Sequence, residues 1–288
     1  MKKLICTILS VFLLCGCTPY EEVNIVATTL PVYTFTQRLC ENTDLKVGQL
    51  ITENVSCLHD YTLKISQMQM LENADVVVIN GAGLEDFLED ALDITSRIVD
   101  ASEGLSLLEL SQDEHDHYDG HTHEEDPHIW LSPRNAAVMA QNICKSLCDL
   151  YPTQAQTFKT NLEILLCDLD TLQTYGEDSL ENLSSRELIT FHDGFSYLAE
   201  SFDLNILMAV EEESGSEASA KQLISLITVV QEHHLKAIFT ETNGSVSAAS
   251  IIAAETSIPI YTLDMGISGD DYFDTMYRNI DTLQEALN

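Results

Sequence analysis

The residues best suited to chemistry in this sequence are its nine histidines, and they fall into three groups. His115, His117, His121 and His123 share a segment, 111–126, that is otherwise rich in Asp and Glu. His233 and His234 close a helical stretch, an end at which positive charge is tolerated. His59, His128 and His192 stand apart: His59 and His192 follow strands, and His128 lies between the acidic segment and a helix. Imidazoles brought together from separate segments would suit zinc, which takes nitrogen and sulfur donors in tetrahedral geometry. Spacing alone does not select that reading over three surface or core histidines, because no compact HExxH or CxxC pattern is present.

The elements that must position these side chains alternate between short apolar runs and helical periodicity. Strands are expected over 23–30, 44–51, 75–80 and 97–100, with helices over 32–40, 63–72 and 84–92 between them. The run Asp75-Val76-Val77-Val78-Ile79-Asn80 is continuously apolar at its centre, as in a strand buried on both faces of a parallel sheet, and Gly81 and Gly83 make the turn after it. In the helix over 63–72, Ile65, Met68 and Leu71 mark one apolar side. After the acidic segment a helix is expected over 133–151, with Pro152 in the first turn of the next. There Phe158, Leu162, Leu165, Leu169 and Leu172 recur in steps of four and three, one stripe on a helix long enough to join two lobes. Strands over 187–191, 206–210, 237–242 and 258–264 then alternate with helices over 218–232 and 246–256 and a last one from residue 270. The fold class is therefore α/β: two lobes with parallel sheets joined by a long helix, with the ligand site in the cleft between them. The expected division is a leader at 1–16, a first lobe at 17–133 carrying the acidic loop 111–126, a helical region at 134–183, and a second lobe at 184–288.

The first residues read as a processing signal rather than as part of the fold. Lys2 and Lys3 precede an apolar stretch of about a dozen residues, short of the ~20 that span a bilayer. It ends in Leu14-Cys15-Gly16-Cys17, which resembles a bacterial lipobox, with Cys17 as the residue that receives lipid. The chain is thus expected outside the cytoplasm, held to the membrane by its lipid. Its net charge of −34 excludes nucleic acid and anionic lipid surfaces as partners and attracts cations only as a diffuse field. With 45% hydrophobic residues it still has the means to bury a core. Cys40, Cys57, Cys144, Cys148 and Cys167 would remain after processing, an odd number without the spacing of a disulfide scaffold. Cys144 and Cys148, four apart on one helix, read as buried small apolar residues.

Several of these segments together resemble the metal-binding solute-binding proteins of ABC transporters, in particular their zinc-uptake branch. The likeness runs through Thr28-Thr29-Leu30-Pro31, Leu58-His59-Asp60-Tyr61, Asn80-Gly81-Ala82-Gly83-Leu84-Glu85, Asp126-Pro127-His128-Ile129-Trp130-Leu131-Ser132-Pro133 and Phe191-His192-Asp193-Gly194-Phe195. The acidic histidine-rich loop ahead of His128 is also a feature of the zinc-type members. The resemblance implies His59, His128 and His192 as metal ligands and Asp264, in Thr262-Leu263-Asp264, as a fourth. It departs from the family at Leu58, where a proline is usual, at Ala218, which replaces another, and after Asp264, where Met265-Gly266 replaces Pro-Leu-Gly.

A histidine at position 192 points to Zn²⁺. Manganese-type relatives carry a carboxylate there, and three imidazoles favour Zn²⁺ over the harder Mn²⁺. Asp60 and Asp193, each next to a ligand, are candidate outer acceptors. The acidic loop could gather zinc weakly through its four histidines or serve only as a solvated linker. The function expected is capture of Zn²⁺ outside the cell by a monomer and delivery to an ABC transporter's permease and ATPase. A manganese-type relative and a surface adhesin that holds zinc are the alternatives. An enzyme with a His₃ zinc site is the rival class, but no general base or oxyanion site accompanies the histidines, and Asp264 would close the open position that catalysis needs.

Overall fold

The computed structural model describes residues 23–55, 58, 61–88, 91, 97–109, 125–210, 219–242, 244–269 and 271–288. Cys17, His59, Asp60, His115, His117, His121 and His123 lie outside them.

Two parallel four-stranded sheets carry the molecule. The first contains β1 (Ile25–Ala27), β2 (Val47–Gln49), β3 (Val76–Ile79) and β4 (Ile98–Asp100), in the order β2-β1-β3-β4. Val26 pairs with Gly48 on one side and Val77 on the other. All three residues of β1 and Val76 to Val78 of β3 are fully buried, as expected for inner strands covered on both faces. The second sheet contains β5 (Glu187–Thr190), β6 (Asn205–Ala209), β7 (Ile238–Glu241) and β8 (Ile260–Leu263), in the order β6-β5-β7-β8. The two sheets share one topology, so each places loops from its inner strands at the same end. In an open α/β sheet, that end, beyond the strand C-termini, is where ligands bind.

The helices are α1 (Leu30–Leu39), α2 (Ile65–Asn73), α3 (Pro133–Leu150), α4 (Ala155–Leu180), α5 (Ser196–Ser201), α6 (Ala220–His233), α7 (Ser247–Thr256) and α8 (Tyr272–Leu287). Strand β1 stops well before residue 30 because extended Thr29 and Pro31 start α1 at Leu30. Ser132 accepts from Asn135 N–H and Pro133 opens α3, so the segment carrying His128 leads into a capped helix. The short helix α5, just after His192, has no counterpart in the sequence pattern, since six residues are too few to show a period.

Three expectations are corrected. On α2, Ile65 is 80% exposed and Met68 37%, while Gln67 and Leu71 are buried. Gln67 earns its place inside by donating to Leu50 O at 2.7 Å and to Tyr61 Oη at 2.7 Å. On α4 the buried stripe takes in Asn161, with Leu162 only partly covered, because Asn161 Nδ2 donates to the carbonyls of Leu39 (2.9 Å) and Glu41 (2.8 Å) at the end of α1. In the stretch expected as a helix over 84–92, the turn at Asp86–Leu88 is 3₁₀.

The long helix α4 packs on α1 and α3 from the first half of the chain and on α8 from the second. One continuous apolar core therefore runs from β1 and β3 through α1, α3 and α4 to α8 and the near face of the second sheet. A smaller core, with Ile189, Phe191, Leu226, Val230, Ile238 and Ile252, lies under α6 and α7 on the far face. Trp130, fully buried, joins the lobes: its indole N–H donates to Met265 O at 2.7 Å, and its carbonyl accepts from Tyr272 Oη at 2.8 Å. Among the described residues no helix is long and apolar enough to cross a membrane. Replacing Asn161→Leu would leave two helix-end carbonyls without their donor, so unfolding should require roughly 1–3 kcal/mol less free energy, read as a lower urea midpoint.

Candidate metal centre

Two of the three separate histidines meet. The rings of His128 and His192 cross edge-to-face with centroids 5.3 Å apart, although 64 positions separate them in the sequence. His128 precedes the 3₁₀ turn Ile129–Leu131, is 5% exposed, and lies edge-on to Trp130 at 5.4 Å. His192 follows β5, whose exit is fixed by Phe191 N–H donating to Phe239 O on β7.

A buried carboxylate faces the Nδ1 atom of each ring. Asp126 Oδ1 lies 2.7 Å from His128 Nδ1 and also accepts the His128 backbone N–H at 2.9 Å. Proline at 127 fixes the backbone between them, and an Asp that bonds two residues onward is a common turn device. On the other lobe, Glu241 Oε2, at the end of β7, stands 3.6 Å from His192 Nδ1. Asp126, within hydrogen-bond distance, holds the proton on His128 Nδ1 and leaves Nε2 to bind a metal, the usual arrangement behind a metal-ligating histidine, while Glu241 stands farther from its ring. Gly194 lets the rings approach: a Cβ there would stand 2.7 Å from His192 Cδ2 and 2.9 Å from His128 Cε1, each bonded to the Nε2 of its ring.

Asp264 follows β8 and is held by Asn279, which accepts its N–H at 2.9 Å and donates to its carbonyl at 2.7 Å. Its Oδ1 accepts from Gly266 N–H at 2.8 Å. A cavity of about 160 Å³ lies between Asn54 and Val55 of the first lobe and Asp264, Met265 and Ile267 of the second. Burial, and then the negative charge of Asp264, push the Glu241 carboxyl up to about 8. Glu241 Oε2 and Asp126 Oδ2 are buried and accept no hydrogen bond among the described residues. The two imidazoles are donors of the kind that a divalent cation with nitrogen preference takes, and Asp264 stands at the cavity wall.

Among the described residues, no three of His, Cys, Asp and Glu come close enough to form a closed metal site. His59, the remaining sequence-predicted ligand, lies outside the described residues, but the two sides of its loop are tied together. Tyr61 Oη donates to Glu53 Oε2 at 2.6 Å, Lys64 pairs with Glu53, and Leu58 is buried where the family has proline. Asp126, the last residue of the acidic loop expected over 111–126, is completely buried. As outer acceptors, Asp126 and Glu241 face the rings; Asp193 is buried beside His192, and Asp60 is outside the described residues. The Asp-Pro-His spacing could have signalled Asp126. No local pattern could have signalled Glu241, which reaches His192 only through the pairing of β5 with β7. His233 pairs with Glu187 on the surface. Cys40 and Cys144 are buried thiols, each pushed up to about 12 chiefly by that burial, and so are inert packing residues.

A model of the family described as zinc-uptake complex component A, periplasmic (ZnuA) matches residues 25–286. The chain belongs to that family. It is 27% identical to the zinc-binding lipoprotein AdcA of Streptococcus pneumoniae over 92% of its own length and 56% of AdcA's, so it spans about half the length of the curated relatives it matches. A crystal structure of ZnuA superposes with a TM-score of 0.80 at 25% identity, covering 92% of this chain and all of that one. The Zn(II)-bound ZnuA-like domain of S. pneumoniae AdcA gives 0.76 at 25% identity, covering 92% of this chain and 99% of that domain.

The approach to His128 rests on Glu85. This buried carboxylate accepts from Thr28 Oγ1 (2.6 Å), Asn80 N–H (2.7 Å) and Gly81 N–H (3.0 Å), and Asn80 Nδ2 in turn donates to Pro127 O at 3.0 Å. Burial outweighs the three donors and raises the Glu85 carboxyl from 4.5 to about 7. A raised folded-state value means that the native state holds the proton more tightly. Its contribution to stability is therefore complete below pH 4.5 and declines as pH rises through about 7. The Glu85→Gln protein should lack that decline, which denaturation midpoints measured across pH 4 to 8 would test.

Proposed function

We propose that this chain captures Zn²⁺ outside the cytoplasm and delivers it to the permease and ATPase of an ABC transporter. The metal is cargo. His128 and His192 would bind through Nε2, His59 would supply a third imidazole, and Asp264 the fourth, carboxylate donor. The observation that carries the reading is the meeting of the His128 and His192 rings, each with Nδ1 turned to a buried carboxylate, at the seam between two lobes. Family membership, and the zinc named for AdcA, support the choice of metal. A lipid on Cys17 would keep the protein beside its permease; the Leu14-Cys15-Gly16-Cys17 sequence and the lipoprotein named among its relatives support that placement.

The geometry supports a division of labour in this reading. Asp126 and Glu241 orient the rings and offset the charge of the cation. Asp264 makes the site a holding site rather than one with an open position for activated water, so the chain is read as a binding protein and not an enzyme. Zinc needs neutral imidazoles, so protonation of the histidines at acid pH competes with it and favours release.

Titration of the purified protein should show one tight zinc site per chain. Each of His59→Ala, His128→Ala and His192→Ala should weaken it by on the order of a hundredfold or more, measured by competition with a chelating dye. Tight binding untouched by all three changes would place the site elsewhere. Gly194→Ala, which puts a methyl between the two rings, should cost about tenfold in affinity, or about 1.4 kcal/mol. Unchanged affinity in that variant would mean that the rings do not approach as described.

A further inference from the structure

The backbone that carries His128 is held by a residue of the other lobe. Tyr197, on α5, sits five positions after His192 and is 1% exposed. Its hydroxyl makes two hydrogen bonds, both to the backbone at the ends of the acidic segment. It accepts from Leu108 N–H at 2.9 Å and donates to Asp126 O at 3.0 Å. The same two residues are joined directly, Asp126 N–H donating to Leu108 O at 2.7 Å, and Glu109 and Glu125 form an antiparallel bridge just beyond. Leu108 and Glu109 are therefore drawn against Asp126 and Glu125 in one narrow neck, and a phenol from the second lobe closes it.

Asp126 is the last residue of that neck, and its carboxylate is the group that holds both the backbone N–H and Nδ1 of His128. Besides its bond to Leu108, the backbone around it has two side-chain anchors: Asn80 on Pro127 O from the first lobe, and Tyr197 on Asp126 O from the second. We propose that Tyr197 is a positioning residue for the metal centre, fixing Asp126 and through it the ring of His128 in register with His192.

Two consequences follow from its place in the chain. The stretch that supplies His192 also supplies the bond that places His128, so a shift of one lobe against the other moves ligand and anchor together. The same hydroxyl also holds the neck itself, since it bonds Leu108 N–H and Asp126 O at once. A phenylalanine at 197 would fill the same space and lose only the hydroxyl, leaving Asp126 O and Leu108 N–H with one partner fewer in a buried setting.

The inference rests on the zinc reading above, and the test keeps the two apart by using one measurement with metal and one without. Zinc affinity and dissociation rate are measured for the unaltered protein, for Tyr197→Phe and for His128→Ala. Proton NMR of the same proteins without zinc follows the His128 Nδ1–H signal, assigned by its loss in His128→Ala. The expected result is a five- to twentyfold weaker zinc affinity in Tyr197→Phe, seen mainly as faster dissociation, together with exchange broadening or loss of the Nδ1–H signal in the metal-free protein. Affinity within twofold of the unaltered protein overturns the inference, whatever the spectrum shows. So does a weakened affinity with an unchanged Nδ1–H signal, since the phenol would then act by some other route than His128. If the unaltered protein binds no zinc, the proposed function fails and the metal part of the inference with it, while the NMR comparison still decides whether Tyr197 holds the ring.

Discussion

The whole arrangement depends on one buried indole. Trp130 stands two residues after His128, donates from its ring to the backbone just after Asp264, and accepts through its carbonyl from Tyr272 at the start of α8. Each bond is worth about 1 kcal/mol net, but neither partner could be left buried and unpaired without a larger cost. Around it Phe35 packs edge-to-face on Tyr272, and Leu30 N–H donates to Ile267 O, so the segment 265–272 of the second lobe is fastened to α1 of the first. The lobes thus share a core on the side of α1, α4 and α8, while the smaller core under α6 and α7 stands apart from it.

That fastening holds His128 of the first lobe beside His192 of the second. His128, bonded to Asp126 at 2.7 Å and packed on His192 with ring centroids 5.3 Å apart, has little orientational freedom left. Glu241 is buried facing Asp264, and its carboxyl is pushed up to about 8; its Oε2 and the Oδ2 of Asp126 are buried without a hydrogen-bond partner among the described residues. Burying a polar group without full pairing is unfavourable, so these oxygens favour a positively charged neighbour.

The polar residues placed inside the fold serve the same end. Glu85 gathers Thr28 and the turn after β3, Asn80 passes that order to Pro127, Asn161 ties α4 to the end of α1, and Asn279 holds both backbone groups of Asp264. Each meets backbone groups at the ends of strands and helices, where regular structure leaves donors and acceptors over. The result is a set of polar ties beneath the segments that carry His128 and Asp264.

The sequence by itself determined the α/β class, because continuous runs such as Val76-Val77-Val78 and the long stripe on α4 reflect burial on both faces of a strand and on one side of a helix. It also determined His128, His192 and Asp264 as candidates, because their flanking residues resemble a family pattern. It misjudged α2, where Gln67 rather than Ile65 and Met68 turns inward, since a glutamine with two buried partners looks like a surface residue until those partners are known. Only the tertiary structure decided that Asp126 belongs to the site and not to the acidic loop, that Glu241 backs His192, that Gly194 is small because two rings converge on it, and that Tyr197 closes the neck. The physical reason is the same in every case. These roles depend on contacts between residues distant in the chain or on how deeply a charge is buried, and periodicity reports only how a segment faces its own neighbours.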